Sequence, residues 1–149
     1  MIKKFFVINL FLFSFFFTNS YSDNSSYMSL KNSKVNVRYG PGLDYPIKFV
    51  FNKKNYPVEI IDQKENFRKI LDFKKNSGWI HRSQLKKNNS FITLDAIILF
   101  SDSTKFSRPI VKIETGRLLS KKKCNLNWCK VETGKYKGWV LKENLWGLN

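Results

Sequence analysis

The sequence predicts an all-β protein that contains two similar small barrels, one after the other along the chain. Its apolar runs are short, rich in β-branched and aromatic residues, and separated by segments rich in Asn, Gly and Lys, as in strands joined by turns. After residue 22, no window of about 11 residues keeps apolar side chains at helical spacing. The pattern of the first half also returns in the second half, which indicates two related units.

The internal repeat consists of matched motifs at a nearly constant separation. The matched pairs are Gly78-Trp79-Ile80 with Gly138-Trp139-Val140, Leu85 with Leu145, residues 66–70 with residues 127–131, and Pro46 with Pro109. The separations are 60, 60, 61 and 63 positions, so the shift grows only through small loop insertions. Two copies of about 60 residues predict two small domains, because a solenoid needs three or more stacked units.

Each unit is expected to hold five short strands. In the first unit the candidate strands are residues 35–39, 47–51, 58–61, 67–71 and 78–81. In the second unit they are residues 96–100, 110–113, 117–119, 128–131 and 138–141. So few strands cover their apolar side best by curling into a barrel. The expected domains are therefore residues 33–87 and 96–149, preceded by a flexible leader at 23–32 and joined by a linker at 88–95, in which residues 91–94 can add a strand.

The N-terminal segment has the pattern of a secretory signal peptide, expected over residues 1–22. Two lysines precede an apolar run at residues 5–17, and a polar stretch with small residues then permits cleavage before Tyr21 or Asp23. The run is shorter than the roughly 20 residues of a spanning helix, so an uncleaved membrane segment is the less favoured alternative. The protein is expected to be exported to the periplasm or the extracellular envelope.

The positive charge of the chain has two open explanations. Its 27 Lys and Arg oppose 11 Asp and Glu, a formal charge of +16 that falls to +14 without Lys3 and Lys4. Lysine clusters in turns protect edge strands and keep small barrels soluble, and a composition rich in Lys, Asn, Phe and Ile is also typical of AT-rich codon use. The functional alternative is attraction to acidic groups of the envelope. Nucleic acid is not expected as a partner, because export separates the protein from it and neither unit has a nucleic-acid motif.

The composition provides little material for catalysis. The single histidine, His81, opens a segment expected to form a short helical turn, residues 81–84. The sequence has no paired-carboxylate motif, no Ser/His/Asp pattern and no Cys with a nearby His. The sequence therefore predicts a protein that is not an enzyme and has no catalytic residue, no cofactor and no metal site. The protein is also expected to be a monomer.

The two cysteines, Cys124 and Cys129, lie five positions apart between two predicted strands. If residues 125–128 form the bend, the cysteines oppose each other on an antiparallel ladder about 4.5 Å apart, within the span of a disulfide. The even count and the oxidising compartment favour that bridge. A redox-active pair and half a metal site are the alternatives, and the spacing and the distant His81 disfavour both.

These motifs resemble bacterial SH3-like (SH3b) domains. Residues 35–42, Val-Asn-Val-Arg-Tyr-Gly-Pro-Gly, look like the opening N-x-R-x-G-P-G strand and loop of that family, and residues 67–70 and 78–80 resemble its closing half. The second unit has Ser-Asp-Ser at 101–103 in place of the Gly-Pro-Gly turn, so a ligand role tied to that turn does not transfer there. The resemblance covers residues 33–147, and the tandem is similar to small exported bacterial proteins. It implies two non-catalytic five-stranded barrels that bind cell wall or position envelope proteins.

The expected function is binding of peptidoglycan or its peptides in shallow aromatic grooves between the barrel loops. Flat rings cover a sugar or peptide at a small entropy cost, and the candidate rings are Tyr39, Tyr45, Trp79 and Trp139. Each Trp is alternatively a core or rim ring. Gly40, Pro41 and Gly42 are expected to form a structural turn, because glycine adopts backbone angles closed to other residues. The alternative function is a protein-binding adaptor for an envelope enzyme, through a groove or an exposed strand edge.

Overall fold

The computed structural model describes residues 26–148. The expected signal peptide at residues 1–22, and the first residues of the expected leader, lie outside this range. The described chain forms two sheets of seven strands and two short 3-10 turns, without an α-helix. No helix within residues 26–148 has the length and apolar character needed to cross a membrane. The predicted all-β architecture of two tandem units is confirmed.

The first sheet follows the chain from residue 26 to residue 87. Its strands are β1 (Ser26–Leu30), β2 (Val35–Arg38), β3 (Ile47–Phe51), β4 (Pro57–Lys64), β5 (Phe67–Leu71), β6 (Ser77–His81) and β7 (Leu85–Lys87). Their spatial order is β3-β2-β6-β5-β4-β1-β7, and the paired neighbours are antiparallel. A 3-10 turn at Arg82–Gln84 joins β6 to β7, as the sequence predicted, and His81 caps it by accepting from the Ser83 N–H at 3.3 Å.

The second sheet repeats this topology. Its strands are β8 (Ser90–Thr93), β9 (Ile97–Phe100), β10 (Pro109–Ile113), β11 (Leu118–Cys124), β12 (Trp128–Thr133), β13 (Tyr136–Leu141) and β14 (Leu145–Trp146). Their order, β10-β9-β13-β12-β11-β8-β14, places every strand where the strand seven earlier lies in the first sheet. A 3-10 turn at Lys142–Asn144 again precedes the last strand. The sequence repeat is therefore a repeat of topology.

Each unit has seven strands where the sequence predicted five, because one strand precedes the expected first strand and another, β7 or β14, follows the 3-10 turn. The flexible leader expected at 23–32 contains β1, which pairs with β4 and β7 and ends at the fully buried Leu30. The linker expected at 88–95 contains β8, which is buried throughout and pairs with β11 and β14. The second sheet begins at Ser90, within the expected linker. The apolar residues 91–94 had already indicated that the linker can add a strand, and β8 covers most of them. Residues 23–32 have no strand pattern of their own, and β1 is held by partners distant in sequence.

Each sheet surrounds its own apolar cluster. The first cluster consists of Leu30, Val35, Val37, Tyr56, Val58, Ile70, Ile80, Leu85 and Ile92. The second consists of Phe91, Ile97, Leu99, Ile113, Leu119, Cys129, Val131, Val140 and Leu145. Ile92 belongs to β8, and Leu118 and Trp146 of the second sheet also pack against the first cluster. The two barrels therefore share apolar contacts at their junction.

A buried polar cluster also joins the two sheets. Ser29 Oγ donates to Asn88 Oδ1 at 2.6 Å, and Ser90 Oγ donates to the carbonyl oxygen of Asn55. The Asn88 amide donates to the carbonyl oxygen of Gly147. The side chains of Ser29, Asn88 and Ser90 are buried, so these bonds satisfy polar groups that would otherwise be costly to enclose.

The predicted disulfide is present. Cys124 and Cys129 oppose each other on β11 and β12, with their Cα atoms 4.0 Å apart, and are bonded through their Sγ atoms. The cysteines close the loop at residues 125–128 that the sequence placed between them.

Candidate functional site

The first unit has a groove beside the ends of β5 and β6, with a volume of about 310 Å³. The residues of this first groove are Lys34, Asn36, Arg38, Leu43, Phe67, His81 and Gln84. Two of them, Lys34 and Arg38, are positively charged, and none of the lining residues is acidic. The groove is therefore suited to an anionic group.

Hydrogen bonds and ring contacts hold the walls of the first groove. The His81 ring meets Phe67 edge-on, with centroids 5.2 Å apart, and its Nδ1 is 2.7 Å from Ser83 Oγ. Arg38 donates to the carbonyl oxygen of Tyr45 at 2.6 Å, which ties β2 to the loop that follows it. Because these side chains are already positioned, a ligand would find them at a reduced ordering cost.

The second unit has a groove beside Trp128 and the loop after β9, with a volume of about 530 Å³. It adjoins a smaller depression lined by Ala96, Phe100 and Leu141, which hold the positions equivalent to Lys34, Arg38 and His81. The residues of this second groove are Ser103, Thr104, Lys105, Phe106, Leu126, Asn127, Trp128, Leu141, Lys142 and Glu143. Trp128 faces Leu141 across β12 and β13 in the position that Phe67 and His81 hold in the first unit. Phe106 is 100% exposed and Leu126 is 86% exposed. The second unit therefore does not repeat the basic side chains of the first groove, and its own groove presents exposed apolar side chains beside Lys105, Lys142 and Glu143.

Both exposed apolar residues of the second groove stand on braced loops. In the loop that carries Phe106, Ser107 Oγ donates to the carbonyl oxygen of Thr104 at 2.8 Å and accepts from the Asp102 N–H at 3.2 Å. The turn that carries Leu126 is closed by the disulfide, and Asn125 Oδ1 accepts from the Trp128 N–H at 2.7 Å.

The four rings predicted as ligand contacts lie in different environments. Tyr39 and Tyr45 are exposed on the loop after β2, Trp79 is half-buried in β6, and only 9% of Trp139 is exposed. Lys123 Nζ and Lys130 Nζ stand 5.5 and 5.8 Å from the centre of the Trp139 ring. The structure thus brings Tyr39 and Tyr45 together on one loop, while other residues line the two grooves.

The turn at residues 40–42 is explained by close packing. Neither Gly40 nor Gly42 has a positive φ, so left-handed backbone angles are not the reason for glycine at these positions. A Cβ at Gly40 would instead collide with the ring of Tyr45, and a Cβ at Gly42 would collide with the carboxylate of Asp44. The glycines permit the Tyr45 ring to lie against the turn.

Sequence reasoning did not single out Lys34, Leu43, Phe106 or Leu126 as site residues. The available signal was a large apolar residue inside a polar loop, as in Ser-Asp-Ser-Thr-Lys-Phe-Ser at 101–107. Such a residue has no role in strand alternation, so its exposure indicates a surface. Within residues 26–148, no group of three or more His, Cys, Asp or Glu side chains is arranged to hold a metal ion.

Comparison with known families identifies the repeated unit. The sequence profile of the bacterial SH3 domain matches residues 31–87 and again residues 97–147. The chain belongs to the bacterial SH3 domain family. This confirms the resemblance drawn from the motifs and the assignment of both barrels. Bacterial SH3 domains are cell-wall-binding modules.

Solved structures similar to the tandem SH3 domains include two NlpC/P60-type proteins. NlpC2 from Trichomonas vaginalis has 14% identity and a TM-score of 0.38, over 82% of this chain and 48% of that one. An NlpC/P60 family protein from Bacillus cereus ATCC 10987 has 12% identity and a TM-score of 0.39, over 80% of this chain and 55% of that one. The tandem SH3 chain spans about half the length of these proteins. Among curated proteins, none matches the chain in sequence.

Proposed function

We propose that the protein is a non-catalytic, exported module of the bacterial cell envelope that binds peptidoglycan or its peptides. Family membership supports the class of function, because bacterial SH3 domains are cell-wall-binding modules. The observation that carries the proposal for this chain is the first groove, which presents Lys34 and Arg38 without an acidic neighbour in its lining. Wall peptides carry carboxylates, and a locally positive surface raises both their encounter rate and their local concentration.

The rings predicted from the sequence extend this surface. Tyr39 and Tyr45 are exposed on the loop that also carries Leu43 of the first groove. Lys48 Nζ lies 5.6 Å from the centre of the Tyr39 ring, so a flat apolar surface stands beside a positive charge. We expect these rings to cover the apolar parts of a wall ligand whose carboxylate enters the first groove.

Two features support export. Residues 1–22 have the signal-peptide pattern, and the protein contains a disulfide, which persists in oxidising compartments. Expression in a bacterial host with its native N-terminus, followed by mass measurement of the periplasmic product, is expected to give a chain that begins at Tyr21 or Asp23. A product that stays uncleaved in the membrane fraction would contradict this.

Retention on purified sacculi tests the proposed function. We expect the protein to sediment with sacculi at moderate salt and to be released as the salt concentration rises, because the contact is electrostatic. Lys34→Gln should reduce retention severalfold, whereas Lys31→Gln, an exposed lysine outside the first groove, should leave it unchanged. Tyr39→Ala should also weaken retention. Absence of wild-type retention would overturn the proposal.

A second candidate function, a protein-binding adaptor, is favoured by the second groove. Phe106 and Leu126 stand free of the core on two braced loops, which is the geometry of a preformed anchor for a partner. A photocrosslinking residue at position 106 should capture one envelope protein in cells, whereas the same residue at Ile61, exposed on β4 of the first unit, should not. One specific partner together with no sacculus retention would replace the first function by this one.

A further inference from the structure

The first unit contains a second depression that shares no residue with the first groove. It has a volume of about 430 Å³ and lies between β3, the start of β4 and the turn from β5 to β6. Its lining residues are Phe49, Phe51, Lys53, Tyr56, Asp72, Lys74 and Asn76. We call this depression the aromatic cleft.

Three rings form one wall of the aromatic cleft. Phe49 and Phe51 meet edge-on with centroids 5.3 Å apart, and Phe51 and Tyr56 follow at 5.2 Å. Phe49 and Phe51 are only half-buried, so part of their ring surface remains open to solvent. A continuous aromatic surface of this kind is suited to a flat ligand with an apolar face.

The carboxylate of Asp72, whose orientation is fixed by hydrogen bonds, forms the polar part of the aromatic cleft. Asp72 is 4% exposed, and its Oδ1 accepts from the N–H groups of Lys74 at 2.9 Å and Asn76 at 2.8 Å. Its Oδ2 accepts from the side-chain amide of Asn76 at 2.9 Å. An oxygen of this kind has capacity for a further hydrogen bond, and the surrounding bonds fix its direction.

The hydroxyl of Tyr56 makes no hydrogen bond within the described part of the chain. Only 9% of Tyr56 is exposed, yet within residues 26–148 its hydroxyl has no hydrogen-bond partner. Burial and the nearby Asp72 carboxylate raise the pKa of this hydroxyl above its ordinary value, so it stays protonated and able to donate. The hydroxyl oxygen of Tyr56 is not among the enclosed atoms that lack a partner, so solvent reaches it, and a ligand in the aromatic cleft can accept its hydrogen bond.

The second unit lacks this arrangement. Its equivalent depression, about 550 Å³, is lined by Val111, Ile113, Glu114 and Tyr136 together with Lys112, Arg117, Thr133, Gly134 and Lys135. Aliphatic side chains stand there in place of the phenylalanines of β3. The same barrel is therefore built without an aromatic wall, so the wall in the first unit is not a requirement of the fold.

From this geometry we infer that the aromatic cleft binds a sugar ring of a glycan, with the ring face on Phe49 and Phe51 and its hydroxyl or acetamido groups on Tyr56, Asp72 and Asn76. The inference rests on the proposed wall-binding function and assigns the glycan to a site separate from the first groove, which takes the peptide carboxylates. Sugars combine an apolar face with a rim of hydroxyl groups, which matches this pairing of rings and polar atoms.

The test uses a tetramer of N-acetylglucosamine and isothermal titration calorimetry. We expect the wild-type protein to bind the tetramer and Tyr56→Phe to bind at least about fivefold more weakly, the equivalent of one net hydrogen bond. Because the hydroxyl has no partner in the fold, Tyr56→Phe should leave the melting temperature unchanged. The matched control is Tyr136→Phe in the second unit, which should bind like the wild type.

Failure of this inference can be told apart from failure of the proposed function. No binding of the tetramer, or equal binding by Tyr56→Phe, overturns the assignment of the aromatic cleft. If sacculus retention still depends on Lys34 in that case, the proposed function stands and only the glycan site is lost. If neither the tetramer nor sacculi are bound, both fail.

Discussion

The Oγ atoms of Ser29 and Ser90 lie 3.0 Å apart, although the two residues belong to different sheets. Around them, Ile92 of the second sheet is buried in the first apolar cluster, and the Tyr27 and Trp146 rings meet edge-on with centroids 5.0 Å apart. Two SH3 domains joined by an open linker would unfold independently. These contacts place a strand of the second domain in the core of the first, which couples the two domains.

Ser90→Ala is expected to destabilise the whole protein by about 1–3 kcal/mol, because it leaves buried partners of the Ser90 hydroxyl unsatisfied. Urea unfolding followed by circular dichroism should show one cooperative transition for the wild type. Ser120→Ala, at an exposed serine of β11, should change the free energy of unfolding by less than about 0.5 kcal/mol. Two separate wild-type transitions would contradict the coupling.

Loss of the disulfide is expected to cost about 2 kcal/mol of stability, because a loop closed between residues five positions apart restricts the unfolded chain only modestly. The double variant Cys124→Ala/Cys129→Ala is suitable, since alanine places no new polar group at the buried position 129. In thermal melting, adding reductant should lower the midpoint of the wild type and leave the midpoint of the double variant unchanged. An unaffected wild type would mean that the bridge contributes nothing.

Gly138→Ala is expected to destabilise the protein by about 1–3 kcal/mol, since the new Cβ would collide with the carbonyl oxygen of Phe100 and approach Leu99 Cγ to 2.8 Å. The backbone of β9 cannot move away without breaking its pairing to β13. Gly134→Ala is the comparison variant, because a Cβ at this position would meet nothing within 4 Å. Its only cost is the positive φ of +54°, which disfavours alanine by about 1 kcal/mol. Chemical denaturation should show a larger loss in the free energy of unfolding for Gly138→Ala than for Gly134→Ala.

Glu132 should titrate below the ordinary range of a glutamate. A hydrogen bond from Lys122 at 2.8 Å, and then the charge of the same lysine, lower the pKa of the Glu132 carboxyl. The resulting stabilisation is present above the pKa of the unfolded chain and is lost as the pH falls through the lowered folded-state value. Carbon-detected NMR titration should show the midpoint rising in Lys122→Met and at high salt. An unchanged midpoint in that variant would assign the shift to another cause.

The central strands and the cysteine pairing were predictable because their signals are local. Alternating apolar residues around Gly78 and Gly138, each next to a Trp, mark the same strand in both units, and a Cβ at either glycine would collide with a neighbouring strand. Cys124 and Cys129 are five positions apart, so a tight antiparallel turn already places them opposite each other.

The outer strands and the sites depended on residues far apart in the chain. Ser26–Leu30 lies in a mostly polar segment, residues 23–32, that has no clear period, and it is a strand because β4 and β7 provide partners on both sides. The aromatic cleft likewise joins Phe49 and Tyr56 to Asp72, which no spacing in the sequence connects.

The sequence by itself therefore determined the repeat, the family, the disulfide and most of the core strands, because alternation and short-range turns encode them. Only the tertiary structure decided which side chains remain open to a ligand. Exposure depends on the packing of several strands at once, and packing joins residues that the linear pattern keeps separate.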